Sequence, residues 1–140
     1  MNARQSRNTV RNEAKATAKK SRKVRGGAGT SFEEARQLAL ALPGVEEGTS
    51  YGTPAFRVGG KLLARFHQDG ESLVLKVELA AREVLIGAKP DTFYVTDHYS
   101  CYPLMLIRMA NIERDELQGL IEEAWRQTAP KRLLAARGPQ

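Results

Sequence analysis

The stretch that decides the fold runs from residue 54 to residue 77, PAFRVGGKLLARFHQDGESLVLKV. It holds three short apolar runs, at 54–58, 61–66 and 72–77, broken by Gly59-Gly60 and by His67-Gln68-Asp69-Gly70-Glu71. Both breaks are hairpin signals, so the runs read as three antiparallel strands. A turn on Asp69-Gly70 sets Phe66 against Leu73, Ala64 against Leu75 and Leu62 against Val77. Side chains alternate between the two faces of a strand, so these six share one apolar face. The first hairpin has two registers. A two-residue Gly59-Gly60 loop sets Phe56 beside Leu63, with Lys61 and Arg65 on the same face. A three-residue Gly59-Gly60-Lys61 loop sets Phe56 and Val58 beside Ala64 and Leu62, and is preferred because it completes the apolar face. The opposite face then carries Arg57, Arg65 and Lys76, with Lys61 at the hairpin tip.

Outward from this centre, Ser31 and Glu34 make a capping box ahead of Phe32, Ala35, Leu38, Ala39 and Leu42 at helical spacing, and Pro43-Gly44 stops the helix. Residues 45–51 read as a strand. Residues 79–88 read as a helix closed by Lys89-Pro90, 93–98 and 104–109 as two more strands, and 112–128 as the longest helix. Pro130 opens a last helical turn through Leu134. Tight hairpins with flanking helices predict an α+β domain over 31–140, an antiparallel sheet with helices on one face.

The chain has 140 residues and one cysteine, Cys101, which excludes an internal disulfide framework and a multi-cysteine zinc site. No apolar run reaches the roughly 18 residues of a membrane span. Charge is unevenly placed. Residues 1–30 carry nine basic side chains and one acid, Glu13, a net +8, whereas residues 31–140 carry 13 basic and 15 acidic ones, a net −2. The basic segment has almost nothing to bury and is expected to stay disordered, with Gly26-Gly27-Ala28-Gly29 as its hinge. It reads as a polycationic arm for phosphates or, more blandly, as a solubilising extension.

Groups that carry chemistry are few. Asp97-His98-Tyr99 with Cys101 nearby is the only local acid–base or nucleophile group, and a structural role at a strand end is the simpler reading of His98. Glu33, Glu34, Glu46 and Glu47 form two acidic pairs that could hold a hard cation or serve a helix dipole. Gly59-Gly60 fits no phosphate-cradling pattern. Tyr94 and Tyr99 are candidates to stack on a base, although most of the aromatic residues read as core or rim.

Several segments together carry a resemblance. They are Leu42-Pro43-Gly44-Val45-Glu46-Glu47, the run from Tyr51-Gly52-Thr53-Pro54 to Lys61, Leu73-Val74-Leu75-Lys76, the run from Pro90-Asp91-Thr92-Phe93 to Tyr99, Glu122-Glu123-Ala124-Trp125-Arg126 and Ala129-Pro130-Lys131-Arg132-Leu133. From Leu42 to Leu133 the chain resembles the MmcQ/YjbR family of small bacterial proteins. Residues 1–30 lie outside the match, and Ser100-Cys101 stands where a glycine is expected nearby. The resemblance implies a frataxin/CyaY-like α+β fold, described in that family as a double-wing DNA-binding motif. It implies a wing at Arg57-Val58-Gly59-Gly60-Lys61 and a second phosphate contact at Lys131-Arg132. Two cations offsetting a helix end are the plainer account of the latter pair.

The expectation is a non-enzymatic, cytoplasmic, monomeric DNA-binding protein with weak sequence selectivity, no cofactor and no membrane partner. Its contacts would be Arg57, Lys61, Arg65, Lys76, Lys131 and Arg132, joined by Lys19, Lys20, Arg22, Lys23 and Arg25 of the arm. The alternative is a small-molecule or metal-binding module of frataxin-like shape, marked by the acidic pairs or by a pocket lined by Tyr51, Tyr94 and His98. A hydrolase or transferase using His98 and Cys101 is a third reading.

Overall fold

A computed structural model describes residues 29–137. The expectations for the basic arm and its cations therefore lie outside the described residues, apart from the boundary itself. Thr30 is already part of the fold. Its N–H donates to the Met109 carbonyl and its hydroxyl donates to the Ile112 carbonyl, at 2.9 and 2.7 Å.

The chain runs α1 (Phe32–Leu40), β1 (Val45–Ser50), β2 (Thr53–Val58), β3 (Lys61–Phe66), β4 (Ser72–Lys76), α2 (Leu79–Ala88), β5 (Phe93–Tyr94), β6 (Leu104–Arg108), α3 (Arg114–Thr128) and α4 (Lys131–Arg137). The strands form one antiparallel sheet in the order β1-β2-β3-β4-β6-β5. The fold is α+β, as the hairpin signals predict. The Ser31–Glu34 capping box is present with both reciprocal bonds, which fixes where α1 starts.

Helices α1 and α3 close the inner face of the sheet. Leu38, Ala39, Leu117, Ile121 and Trp125 pack there on Phe56, Val58, Leu63, Leu73, Leu75, Met105 and Ile107. The Trp125 indole N–H donates to the Pro43 carbonyl at 2.9 Å, which ties α3 to the turn after α1.

The second hairpin has the expected register, with Phe66 opposite Leu73 and Ala64 opposite Leu75. The first does not have the expected three-residue loop. Val58 pairs with Lys61, and Gly59 and Gly60 both have positive φ, 60° and 80°, which is the backbone of a two-residue type I′ turn. A β-bulge between Phe56 and Arg57 absorbs the difference, so that Phe56 still faces Ala64 while Arg57 faces Leu62. The extra residue is Leu63, which enters the core in place of Leu62.

The strand expected over 93–98 is only two residues long, and the chain then leaves the sheet edge. It crosses the outer face through a 3-10 turn at Asp97–Tyr99. There Tyr99 covers Val74 and Leu106, in a small second core joined by Tyr94, Val95 and Leu104. Arg82 of α2 holds this crossing in place. Its guanidinium is buried and donates to the carbonyls of Tyr99, Ser100, Tyr102 and Leu104 at 3.5, 3.1, 3.0 and 3.1 Å. No described helix is long and apolar enough to cross a membrane.

Candidate functional site

The crossing splits the outer face of the sheet into two unlike ends. Strand register puts Arg57 and Lys76 on the outer face at the end where β2 and β4 stop, and Lys61, the register partner of the inner residue Val58, at the hairpin tip of that end. Arg65 lies four residues along β3 from Lys61, roughly 13 Å at the rise of a strand.

At the first end the hairpin tip rests on the start of α4. Gly59 sits so close to the Pro130 ring that a Cβ there would lie 2.8 Å from Pro130 Cγ. Glycine is needed at this position for its positive φ and for the close approach. Next along the chain from Pro130 come Lys131 and Arg132, both exposed. Leu133 in turn packs under Gly44, which pins α4 to the α1–β1 turn. The hairpin cation Lys61 and the α4 pair, distant in sequence, thus flank one contact.

Lys61 is exposed, and Arg57 and Lys76 are half-buried. Among the described residues none of these five cations has a carboxylate within ion-pair distance. Lys131 and Arg132 occupy the first turn of α4, where that helix's dipole disfavours positive charge. The sheet end is not purely cationic. Glu46 of β1 is the register partner of Arg57, and Glu78 follows Lys76 by two residues.

Arg65 does not belong to this surface. It is 3% exposed, and so cannot be the open phosphate contact that strand alternation predicts. Alternation places it on the outer face correctly, but the crossing segment then covers it. Its Cζ lies between two aromatic rings, 5.2 Å from the Tyr51 centroid and 5.7 Å from that of Tyr99. Nη1 donates to the Thr53 hydroxyl, the Phe66 carbonyl and Gln68 Oε1 at 3.4, 3.2 and 3.3 Å, and Nη2 donates to the Tyr99 hydroxyl. Every one of these acceptors is neutral. Desolvation pushes the guanidinium below its ordinary pKa, with the Tyr51 phenol working the other way.

Arg65 lines a cleft of about 320 Å³ together with Tyr51, His67 and Gln68 on one side and Thr96, His98 and Tyr99 on the other. The Tyr99 ring meets His98 and His67 edge-on, at 4.7 and 6.2 Å between centroids. His67 is held from behind by Asp69, with Nδ1 and Oδ2 3.2 Å apart. Burial acts to raise the Asp69 carboxyl, but hydrogen bonds from the Glu71 N–H, His67 and the Ser72 N–H outweigh it and hold the group below its usual range. Tyr51 stands at the mouth of the cleft, 77% exposed. It is the only non-glycine residue with positive φ, 53°, among those described, and sits ahead of Gly52 in the type I′ turn between β1 and β2.

The other candidates have local partners. Tyr94 donates to or accepts from the Ser72 hydroxyl at 2.7 Å and lies 4.1 Å under the Arg108 guanidinium, and Tyr99 is buried. Neither presents a free face for a base. Glu33 and Glu47 flank Arg36, and Glu34 serves the capping box. Among the described residues no group of three His, Cys, Asp or Glu side chains could hold a metal ion. Cys101 is exposed, does not line the cleft, and shares no hydrogen bond with His98.

Of the pocket expected from Tyr51, Tyr94 and His98, Tyr51 and His98 line the cleft and Tyr94 does not, packing instead against Arg108 and Ser72; His67, Gln68 and the enclosure of Arg65 are not part of that expectation. The available signal is the pair of unbroken apolar runs Leu73-Val74-Leu75 and Leu104-Met105-Leu106-Ile107. Strands apolar on both faces are covered on both faces, so part of the chain had to cross the outer side.

Comparison with known proteins places this arrangement in a family. The YjbR family model matches residues 40–127, and the chain belongs to the YjbR family. Uncharacterized proteins of Mycobacterium bovis and Mycobacterium tuberculosis are 44% identical to it over 52 residues, which is 37% of this chain and 40% of theirs. The matched stretch is therefore well under half the length of those relatives. The fold is similar to the crystal structure of Deinococcus radiodurans protein DR2400, a DUF419 domain. The TM-score is 0.59 at 21% identity, covering 70% of this chain and 77% of that one.

Proposed function

We propose that this protein is a non-enzymatic, cytoplasmic DNA-binding monomer. It grips phosphates with weak sequence selectivity through the β2–β3 hairpin, the start of α4 and the basic arm. In this reading the fold is of the frataxin/CyaY type, and the hairpin is one wing of a double-wing surface. One observation carries the proposal: Gly59 seats on Pro130, which brings Lys61, with Arg57 two residues before Gly59, to Lys131 and Arg132 around a single contact, none of the four with a carboxylate within ion-pair distance among the described residues. Lysine and arginine at a protruding hairpin suit phosphate contacts, which position a protein on DNA without reading its bases.

The test is fluorescence anisotropy of the full chain on a labelled duplex over a salt series. Each phosphate contact contributes about 0.9 to the slope of log K against log salt. Changing Arg57, Lys61, Lys131 and Arg132 together to alanine is expected to flatten that slope by roughly 3 to 4. Changing Lys19, Lys20, Arg22, Lys23 and Arg25 to glutamine measures the share of the arm. An unchanged slope in the fourfold variant would remove the domain from the binding surface.

A second reading is favoured by a different observation. The cleft around Arg65 has the size and mixed lining of a small-ligand site, which supports a small-molecule-binding module.

A further inference from the structure

We propose that the cleft between Tyr51 and His98 binds a small aromatic anion, a carboxylate or phosphate monoester on a flat ring, with its charged group on Arg65. This inference rests on the small-molecule reading above and adds the class of ligand.

A buried cation is normally paired, because losing its hydration is costly without a counter-charge. Arg65 is nearly fully buried, yet among the described residues no carboxylate lies within ion-pair distance of it. The nearby turn carboxylate, Asp69, is engaged by His67 and two backbone N–H groups. The neutral oxygens and ring faces around Arg65 hold its guanidinium in position without neutralising it. Arg65 lines the cleft, so an anion bound there would meet its guanidinium.

Tyr51 occupies the turn position where asparagine, aspartate or glycine is the ordinary choice. Its backbone is held in the left-handed region while its ring stays exposed at the cleft mouth. Strained residues of this kind collect at ligand clamps. The ring already stacks over Arg65 and leaves an outer face bare. His98, exposed on the opposite wall, offers a second flat surface. A planar ligand body fits between them.

The experiment titrates the full-length protein, followed by amide and tyrosine-ring NMR shifts, with benzoate, phenyl phosphate, inorganic phosphate and the neutral isostere benzamide. Benzoate or phenyl phosphate is expected to bind with a dissociation constant of about 1 mM or tighter. Shifts should centre on Tyr51, Arg65, His67 and His98, and benzamide and inorganic phosphate should bind at least about ten-fold more weakly. Arg65→Gln removes four hydrogen bonds and risks the fold, so the decisive variant is Tyr51→Asn. It creates the Asn-Gly pair that a type I′ turn favours. It should leave the melting temperature unchanged or raised while weakening the aromatic anion several-fold. A purely structural Tyr51 would do the reverse, lowering the melting temperature at constant affinity, and that result overturns the proposal. Equal binding of benzamide and benzoate also overturns it and leaves the small-molecule reading standing. Absence of binding by all four probes overturns both.

Discussion

Arg65 and Asp69 lie four residues apart on the β3–β4 hairpin, yet their charges are handled in opposite ways. The cation is buried among neutral oxygens, whereas the carboxylate is exposed enough to stay hydrated and is still wrapped by donors. Because its partners hold Asp69 below the ordinary carboxylate range, it favours folding above its unfolded value of 3.8. That contribution fades as pH falls through the folded-state pKa. Asp69→Asn is therefore expected to cost about 1 kcal/mol at neutral pH, a cost that shrinks as pH falls below 3.8. Denaturant melts at several pH values check this, and a cost that persists at low pH would contradict it. At this scale the sequence is a partial guide. Asp69-Gly70 is legible as a turn, and Arg57 and Lys61 as cations beside the Gly59-Gly60 hairpin tip. The burial of Arg65 is not legible, because strand alternation assigns a face without saying what later covers it.

Among the elements, the β2–β3 hairpin shows where reading by register succeeds and where it fails. The apolar match of Phe56 with Ala64 is correct, but a bulge achieves it in place of a longer loop. Leu62, Leu63 and Ala64 are all apolar, so composition holds no mark of which one is the extra residue. The crossing after β5 fails for a related reason. Thr96-Asp97-His98-Tyr99 contains residues compatible with a strand, and the arginine that holds the carbonyls from Tyr99 onward, Arg82, sits on α2. Helix α1 was legible because its capping box is local to four residues.

The hairpin's contact with α4 makes a testable distinction between neighbouring glycines. Gly59 and Gly60 share positive φ, but only Gly59 touches Pro130, while Gly60 has nothing within 4 Å of a Cβ. Gly60→Ala should cost the backbone penalty alone, about 1 to 2 kcal/mol. Gly59→Ala should cost about 1 kcal/mol more, because the added methyl must push the tip off Pro130. It should also weaken DNA binding by separating Lys61 from Lys131, whereas Gly60→Ala should spare it. Equal stability losses in thermal melts would show that the contact is not tight.

For the whole molecule, the basic balance of the chain belongs to its first 30 residues, and the remainder is slightly acidic. A domain of that charge binds DNA only if its cations are gathered and its acids placed elsewhere. Ion pairs engage Glu33, Glu34 and Glu47 near α1 and Glu116 near α2, while among the described residues Lys61, Lys131 and Arg132, around Pro130, have no carboxylate within ion-pair distance. That cationic end lies roughly 13 Å along β3 from Arg65, so the two sites can be probed independently in one sample. The most direct measurement is an amide NMR map of the full chain as a short DNA duplex is added at moderate salt. The account predicts that the largest shifts fall on Arg57, Gly59, Gly60, Lys61, Lys131 and Arg132, with Tyr51, His67 and His98 unmoved. Shifts confined to residues 1–28, or centred on the cleft, would contradict it.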